Sequence, residues 1–576
     1  MASAPEPSQR SPVVSFLRAA SRRRASATAP AGERAGPIDV LGVVRNLTSA
    51  TRLLDVLPLL RAEDGITVSF TVNPGSAFDG GLAEYLTRQR GTVLPWREAT
   101  RRRFDLVVAC AVNRSMRRLS RPLVVLPHGA GYNRLTHRST GDATSSAGLS
   151  PRELLHRGRV VPDVIGLSHE EQLTRLAVSC PAAVPHARVV GDPCFDRMRA
   201  NLDWRDHFRE PFGATGGRRL VVINSTWGPH SLIRRHPDLP LRLTHALPVD
   251  EYVVALVLHP NVWSDDTPFG VDRRFRAARD AGLRLVSPER GWQAALIAAD
   301  LVVGDTGSVS FYGAGLGRST LLAASGEEEL DPRSPMHAFG AAAPRLDPEG
   351  DLLAQLRDAE RTQPAGDLTP VTERALGLTD RSAPELQRLF YELLGARVAP
   401  PVDAPRPARY PDPTPDGGPG PTAFDVVGRL VGDTVEVARH PLDPARAGAR
   451  GFLAVLAEEG TRSPAAQTAE VAARRQPHGE LPPERWLRER FTAQPWLSVA
   501  VAALGPGRHL FRLRDGTVAE ARAVGGWAAP DPVLDPLLLG AALQVAWEAG
   551  RPPALWDEGL TLRTGDTETR LAFRGL

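Results

Sequence analysis

The chain has 576 residues, of which 42% are hydrophobic and 24% charged, which is enough apolar material for two to four domains with ordinary cores. Its formal net charge of +4 is small for this length and gives no reason to expect a nucleic-acid partner. The 70 basic residues are all arginine, which excludes a P-loop lysine, a Schiff-base lysine and a lysine nucleophile.

The cysteine content indicates a reducing compartment. Cys110, Cys180 and Cys194 form an odd set without CxxC spacing, so neither a disulfide framework nor a zinc site is expected. No metal and no cofactor are predicted, and the predicted location is the cytoplasm. No segment approaches the run of about 18 apolar residues that a membrane-spanning helix needs.

Residues 1–36 form an Arg-rich arm without the apolar core of a secretory signal. Arg18, Arg22, Arg23 and Arg24 lie among small residues, a pattern typical of a solvated, disordered arm. The alternative is peripheral docking on the inner, anionic face of the membrane, where each basic residue contributes about 1 kcal/mol.

Residues 37–200 alternate apolar runs with helical patterns. A buried strand at 38–44 precedes a helix whose Leu53, Leu57 and Leu60 share one face. Further strands are predicted at 66–72, 104–111, 123–128, 161–168 and 187–191. Strands that alternate with crossovers predict a mostly parallel sheet covered by helices, here an N-terminal Rossmann-like domain.

Residues 201–399 repeat this rhythm. Strands are predicted at 218–226, 251–260, 283–288, 299–308 and 319–325, with the last strong helix at 383–396. The fold class is therefore α/β, with a second Rossmann-like domain.

A different composition follows. Residues 400–423 are a Pro/Gly-rich linker, because their prolines and glycines exclude regular structure. Residues 424–576 read as an α+β domain with an antiparallel meander at 496–524, an apolar helix at 535–550 and a closing hairpin at 560–573. No catalytic pattern appears there, so the role of this domain stays open.

Ligands of open parallel sheets bind at the carboxyl ends of the strands, where the predicted runs stop at polar residues. Hydroxyl groups and glycine at the start of a helix favour phosphate, so the 307–310 turn is predicted to cradle one, with an ordinary helix cap as the alternative. A lone strand-end histidine is more often structural. A histidine at a strand end in each of the two αβ halves, however, favours a reaction on a nucleotide-activated donor. The strand-end residues are His128, Gly129, Gly131, Gly191, Asp192, Asp196, Asn224, Ser225, Thr226, Trp227, His259, Asp305, Thr306, Gly307, Ser308 and Ser310.

The order of these motifs resembles the CDP-glycerol glycerophosphotransferase family, the teichoic-acid polymerases and primases, whose catalytic part has a GT-B fold. That family shows His-Gly-Thr, Gly-x-Pro-Arg-x-Asp, Thr-Trp-Arg, His-Pro and Thr-Asp-Tyr-Ser-Ser-x-x-Phe-Asp. This chain has, in the same order, His128-Gly129, Gly191-Asp192-Pro193-Cys194-Phe195-Asp196, Thr226-Trp227-Gly228, His259-Pro260 and Gly304-Asp305-Thr306-Gly307-Ser308-Val309-Ser310-Phe311-Tyr312.

The resemblance implies a GT-B-like pair of αβ domains facing a cleft, and a role for each motif. His128 would be the general base that activates an acceptor hydroxyl, His259 would stabilise the donor phosphates, and Asp305 would complete the catalytic set. The implied phosphate- and donor-binding residues are Gly191, Asp196, Thr226, Thr306, Gly307, Ser308 and Ser310, and the acceptor loop carries Gly129 and Gly131.

The chain departs from the family at several points. Cys194 and Gly228 stand where the family has arginine, Ala130 replaces a threonine, Thr306-Gly307 replaces Tyr-Ser, and Tyr312 replaces the final aspartate. Because charge-assisted bonds are about twice as strong as neutral ones, lost arginines weaken phosphate binding. Either other arginines, such as Arg134 or Arg318, substitute, or the donor differs, or the chain is a non-catalytic member.

The expected function is a transferase that moves a polyol-phosphate or a sugar from a CDP- or UDP-linked donor to a hydroxyl acceptor, in cell-wall polymer synthesis with a lipid-linked acceptor at the membrane. One alternative is a UDP-N-acetylglucosamine 2-epimerase-like enzyme, although Phe311 and Tyr312 stand where that group has paired glutamates. The other is an inactive GT-B-fold scaffold that uses its C-terminal domain for docking.

Overall fold

A computed structural model describes residues 38–75, 80–136, 142–363, 366–395, 420–445, 451–458, 464–477, 479–524, 533–551 and 559–575. The predicted arm 1–36 and residues 400–419 of the predicted linker lie outside this set. By contact, the chain divides into two units. The first takes its described residues from Met1–Ala200, Gly326–Ala342 and Leu368–Pro407, and the second from Asn201–Ser325, Ala343–Asp367 and Ala408–Leu576.

The first unit is built on a seven-stranded parallel sheet in the order β11-β10-β5-β4-β1-β2-β3. This is the strand order of a doubly wound Rossmann sheet, and it confirms the predicted parallel sheet. The sheet strands are β1 Ile38–Val44, β2 Ile66–Val72, β3 Thr92–Leu94, β4 Leu106–Ala109, β5 Leu123–Val125, β10 Val164–Leu167 and β11 Ala187–Val189; two small hairpins pair β6 Leu135–Thr136 with β7 Asp142–Ser146 and β8 Leu155–His156 with β9 Arg159–Val160.

The helices of the first unit come from three separate stretches of the chain. Those before residue 200 are α1 Leu47–Val56, α2 Leu82–Arg88, α3 Trp96–Ala99, α4 Pro151–Leu154, α5 Glu170–Ser179 and α6 Pro193–Ala200. The later ones are α13 Pro335–Ala342, α15 Thr369–Thr372 and α16 Ser382–Leu394. Leu386 and Phe390 of α16 pack in one core with Val40 of β1, so the helix that we predicted at the end of the second αβ half completes the first.

The second unit contains a five-stranded parallel sheet in the order β14-β13-β12-β15-β16, again a Rossmann order. None of the helices that the structure describes is long and apolar enough to cross a membrane. The strands are β12 Arg219–Ser225, β13 Tyr252–Leu258, β14 Arg284–Leu285, β15 Leu301–Gly304 and β16 Ser319–Leu322; the helices are α7 Arg205–Arg209, α8 Leu232–Arg235, α9 Leu239–Ala246, α10 Pro260–Asp280 (interrupted at Thr267), α11 Trp292–Ala298, α12 Ser308–Gly315 and α14 Leu352–Thr362.

The C-terminal part of the second unit corrects our α+β prediction, because nine strands close into a barrel here. The predicted meander, apolar helix and closing hairpin are all present, but they are parts of this barrel. The strands are β17 Ala423–Val431, β18 Thr434–Pro441, β19 Phe452–Leu456, β20 Val471–Arg474, β21 Val499–Gly505, β22 Arg508–Leu513, β23 Val518–Val524, β24 Leu560–Thr564 and β25 Thr567–Gly575; the helices are α17 Pro483–Ala493 and α18 Pro536–Glu548.

Helix α18 fills the barrel interior. Its residues from Pro536 to Ala546 are all buried, and its leucines share one core with the inward-facing residues of the strands. A helix that is apolar on every face needs neighbours on every side, and a closed sheet supplies them. Gly428 and Gly540 allow the close approach, since a Cβ at Gly428 would lie 2.4 Å from Val545 Cγ2. Helix α17 packs on the outer face through Trp486 and Leu487.

Candidate functional site

His128 follows β5 of the first unit, after the buried Leu126 and Pro127; the residue keeps surface in contact with solvent, and its ring packs against protein on the side of Cys110. The ring Nδ1 lies 3.1 Å from the carbonyl oxygen of Cys110, the residue that follows β4. A carbonyl oxygen can only accept a hydrogen bond, so Nδ1 carries the proton and donates it. In the neutral ring the lone pair is then on Nε2, which is the arrangement that a general base needs.

The surroundings of His128 favour its neutral form. Desolvation by the protein around the ring lowers the pKa of the imidazole; the hydrogen bond to the Cys110 carbonyl opposes this, and the nearby Arg52 lowers the pKa further. Arg52 is itself buried and forms an ion pair of 2.8 Å with Asp192. Since the ordinary pKa of histidine is about 6.5, His128 is neutral and able to accept a proton at pH 7.

The loop after His128 is fixed from two sides. Gly131 has φ +78°, and a Cβ there would lie 2.3 Å from Nε2 of Gln172, so only glycine fits. Arg175 of α5 donates from Nη1 to the carbonyl of Tyr132 at 2.6 Å. The backbone N–H of Asp331 donates to the Asn133 carbonyl at 2.9 Å. Gly129 and Gly131 thus lie in a rigid turn directly beyond the histidine.

Arg175 is a positioning residue that sequence reasoning missed. It is buried, and Nη1 also donates to Ser146 Oγ at 2.8 Å and lies 3.5 Å from Asp331 Oδ2. No motif marks it, because its partners come from separate stretches of the chain. Only its regular place in the helical pattern of residues 170–179 could have suggested a buried face.

Gly191 and Asp196 also lie in the first unit. Gly191 has φ +74°, and a Cβ there would meet Ser382 Cβ at 2.7 Å, so the turn packs tightly against the start of α16. Asp196 is buried and accepts hydrogen bonds from the N–H of Asp380 at 2.8 Å and of Ser382 at 2.9 Å, and from the Ser382 hydroxyl. This carboxylate ties α6 to α16, so a donor-binding role for Gly191 and Asp196 stays a prediction.

In the second unit, Asp305 organises the carboxyl ends of β12 and β15. Its Oδ2 accepts from the backbone N–H and the hydroxyl of Thr226, each at 2.9 Å, and from the N–H of Leu232 at 2.9 Å. Asp305 is only 1% exposed. The structure therefore brings Asp305 and Thr226 together, with the carboxylate acting on the loop that follows β12.

Helix α12 begins at Ser308, directly beyond this carboxylate. Gly307 is its N-cap and has no side chain with which to cap the first turn. A Cβ on Gly307 would lie 2.3 Å from Thr226 Cγ2, so this close approach also requires glycine. The backbone N–H groups of a first helical turn point outward along the axis, where they favour an anion.

The side chains of this turn differ in exposure. Ser308 is half-buried, whereas Thr306 is buried. Ser310 is fully buried and donates from Oγ to Asn224 Oδ1 at 3.0 Å. Ser308 is thus the hydroxyl of the set with exposed surface, and Ser310 acts on the strand end of β12.

His259 ends β13 and caps helix α10. Its Nδ1 accepts a hydrogen bond from the N–H of Asn261 at 3.1 Å, so this nitrogen holds the lone pair and Nε2 carries the proton. The ring lies beside Trp227, with centroids 6.2 Å apart. His259 and His128 therefore occupy opposite tautomers: one has Nε2 as a donor, the other has Nε2 as an acceptor.

The two positions that lack the family arginines differ in what disfavours an arginine there: burial at Cys194 and backbone conformation at Gly228, where the space is open. Cys194 is buried, and burial raises the pKa of its thiol to about 12. Gly228 has φ +93°, where an arginine would be strained. Arg318 precedes β16 at the amino edge of the sheet, opposite Asp305, and Arg134 pairs with Glu329 at 3.2 Å in the first unit.

Two other arginines lie at the carboxyl edge of the second sheet. Arg234 and Arg235 end helix α8, whose first residue is held by Asp305. Both are exposed, and neither has a carboxylate partner among the described residues. Arg235 Nη2 lies 3.1 Å from Nδ1 of His230. Sequence reasoning missed the basic cluster of His230, Arg234 and Arg235, although His230 lies only four residues after Thr226.

Comparisons with known proteins give only distant likenesses. No family model matches the chain, and no curated protein matches its sequence. Solved structures that resemble it include the wall teichoic acid polymerase TagF, at 11% identity over 62% of this chain and 88% of that chain, with a TM-score of 0.40.

Two further likenesses are to proteins solved with nucleotide sugars. HepE of Anabaena, in complex with UDP-glucose, shares 13% identity over 62% of this chain and 100% of its own, with a TM-score of 0.38. The UDP-GlcNAc 2-epimerase of Neisseria meningitidis, bound to UDP-GlcNAc, shares 12% identity over 62% of this chain and 99% of its own, also with a TM-score of 0.38. At these scores the overlap is loose.

Proposed function

We propose that the chain is a transferase of the GT-B kind, which moves a polyol-phosphate or a sugar from a CDP- or UDP-linked donor to a hydroxyl acceptor. The observation that carries this proposal is the pair of strand-end histidines in opposite tautomers. His128 offers a lone pair on Nε2, which suits it to take a proton, whereas His259 offers an N–H, which suits it to bind a phosphate oxygen.

In the proposed step the acceptor hydroxyl gives its proton to Nε2 of His128 as its oxygen attacks the donor. For a polyol-phosphate donor, a new P–O bond forms, and the bond from that phosphorus to the oxygen of the nucleotide phosphate breaks. The nucleotide monophosphate leaves with the electron pair and the negative charge. Such transfers depend on positioning and on charge neutralisation more than on covalent help from the protein.

Three groups of the second unit would neutralise the donor phosphates. They are the N–H groups at the start of α12, the Nε2–H of His259, and the exposed guanidinium groups of Arg234 and Arg235. Charge-assisted hydrogen bonds from guanidinium are strong and bidentate, so the α8 arginines compensate for Cys194 and Gly228. Asp305 acts here as a positioning residue for Thr226.

The epimerase alternative is less favoured by the residues of α12. Phe311 and Tyr312, which stand where that group carries glutamates, are 0% and 1% exposed, so neither offers a polar group to a ligand. A lipid-linked acceptor in cell-wall polymer synthesis is part of the proposal and rests on the motif resemblance alone.

The test is turnover of the purified full chain with CDP-glycerol, CDP-ribitol, UDP-glucose and UDP-GlcNAc, scored by release of CMP or UDP. The proposal expects His128→Ala to lower kcat by about 10²–10⁴-fold, the usual worth of a general base, with little change in donor binding. His186→Gln is the matched control, because His186 also bonds a backbone carbonyl (Asp163) but lies at the amino edge of the first sheet.

Three outcomes would contradict the proposal. Full activity of His128→Ala would show that His128 is not the general base. Conversion of UDP-GlcNAc to its 2-epimer, detected by NMR without an acceptor and without release of UDP, favours the epimerase. If isothermal titration finds binding of neither CDP nor UDP, the chain is a scaffold and not a transferase.

A further inference from the structure

The second unit holds a cavity of about 880 Å³ where the mouth of the barrel meets the amino edge of the five-stranded sheet. From the sheet side it is lined by residues that precede or begin β12, β13 and β14. From the barrel side it is lined by the start of α18 and by the turn between β24 and β25. A volume of this size is typical of small-molecule sites.

The barrel mouth is polar although its interior is apolar. Arg439, Arg475 and His509 stand at or just beyond the ends of three strands and continue the inward-facing alternation of each. Asp535, the N-cap of α18, lies among them. The inward-facing apolar residues that they continue are Val435 and Val437 of β18, Val471 and Ala473 of β20, and Phe511 and Leu513 of β22.

Two carboxylates line the cavity, and both are already paired. Arg439, only 4% exposed, donates to Asp250 at 2.9 and 2.6 Å and to Asp535 at 3.1 Å. Arg475 donates to the same Asp535 at 2.7 Å. These two acidic groups therefore balance the two arginines at the barrel mouth.

Two further arginines of the lining have no acidic partner. Among the described residues, Arg218 bonds only the backbone carbonyls of Gly213 and Thr215, and Arg284 is exposed and makes no ion pair. Burial lowers the pKa of Arg218; Asp250 opposes this, and the positive charges of Arg284 and Arg439 lower the pKa further. The cavity thus carries an excess of positive charge that its own carboxylates leave uncompensated.

We propose that this cavity binds a small phosphorylated molecule, whose anionic oxygens pair with the guanidinium groups of Arg218 and Arg284. Guanidinium matches phosphate in a bidentate geometry. Thr564, Thr567 and Thr569 line the same cavity and offer hydroxyl groups to the remaining oxygens or to ligand hydroxyls.

This site is separate from the proposed donor site. The cavity contacts Tyr252, Val253 and Val254 at the start of β13, whereas His259 follows the end of that seven-residue strand. Seven residues of extended chain span about 20 Å, so the two sites lie at opposite edges of one sheet. A ligand bound here acts as an effector or as a structural ligand. The proposal of this binding site does not depend on the proposed transferase function.

The probe is inorganic pyrophosphate, titrated calorimetrically into the full chain at low ionic strength. We expect Arg284→Gln and Arg218→Gln each to weaken pyrophosphate binding by about tenfold or more, since each removes one charge-assisted contact. Arg284 makes no ion pair with any residue that the structure describes, so its variant should fold normally. Arg276→Gln, an exposed arginine of α10 outside the cavity, is the matched control and should bind as the wild type does.

The donor site could also bind pyrophosphate, so Arg234→Gln is measured in parallel. Loss of binding in Arg234→Gln with full binding in Arg284→Gln places the anion at the donor edge and overturns the proposal. Absence of binding at millimolar pyrophosphate overturns it as well. Loss in Arg284→Gln alone supports the cavity even if the chain has no transferase activity.

Discussion

Replacing Asp305 by alanine tests whether this carboxylate is a positioning residue or a catalytic one. The change removes the acceptor of three hydrogen bonds of 2.9 Å, from the N–H and hydroxyl of Thr226 and from the N–H of Leu232, and of a longer one of 3.5 Å from the Ser225 hydroxyl. A buried donor left without a partner costs about 1–3 kcal/mol. The Leu232 N–H is buried and Thr226 only half-buried, so we expect a loss of about 2–4 kcal/mol in the free energy of unfolding.

The assay is urea denaturation followed by tryptophan fluorescence, to which Trp227, next to Thr226, contributes. Amide hydrogen exchange of Leu232 provides the local measurement, and protection of this amide should fall by a similar amount. Asp206→Ala is the matched control, because Asp206 is an exposed carboxylate of the same unit that makes no ion pair among the described residues.

One result would refute the reasoning. If Asp305→Ala unfolds within about 0.5 kcal/mol of Asp206→Ala, the ordinary scatter of surface substitutions, then Asp305 does not hold the loop. Loss of nucleotide binding in such a stable variant would instead indicate direct contact with the ligand.

Three further predictions concern stability and titration. Arg439→Met should lower the free energy of unfolding by about 3–5 kcal/mol, because it removes the ion-pair partner of the half-buried Asp250 while Asp535 keeps Arg475, and adding Asp250→Asn should restore part of the loss; a loss below about 1 kcal/mol in urea denaturation contradicts this. Gly131→Ala should lower the free energy of unfolding by at least about 1–2 kcal/mol, because Gly131 has a positive φ. The control is Gly505→Ala, where the added methyl group meets open space and φ is ordinary, so equal shifts in melting temperature for the two variants would argue against a strained turn. The folded pKa of His128 is lowered, so the unfolded state binds more protons below pH 6.5: its contribution to stability is complete above that pH and declines as pH falls toward the folded pKa. An NMR titration midpoint at or above 6.5 contradicts this.

The sheets were predictable because their strands are buried on both faces. A continuous apolar run such as Val40–Val44 is typical of a strand that is covered on both faces. Because such strands alternate with helices along the chain, they are expected to pair in parallel. The strand-end positions of His128, His259 and Asp305 followed from the same pattern. Their hydrogen bonds did not, because the partners, such as Cys110 and Leu232, come from other elements.

The barrel and the interleaving of the units were not predictable in this way. Leu386 and Phe390 mark an amphipathic helix, but the pattern does not say which of two cores receives it. Helix α18 showed its apolar character plainly. However, closure of nine strands around it depends on long-range pairings, such as Thr434 with Thr561, that no local pattern encodes.

Helix α18 is synthesised before part of the barrel wall that encloses it. Strands β24 and β25 form the wall between β18 and β23, and they follow α18 in the chain. During synthesis the helix therefore leaves the ribosome before its surrounding wall is complete, when the part of its surface that packs on Leu560, Leu562 and Leu571 is still uncovered. Until the hairpin of β24 and β25 pairs with β18 and β23, apolar surface of α18 stays exposed to solvent. Exposed apolar surface of this kind binds chaperones and favours aggregation.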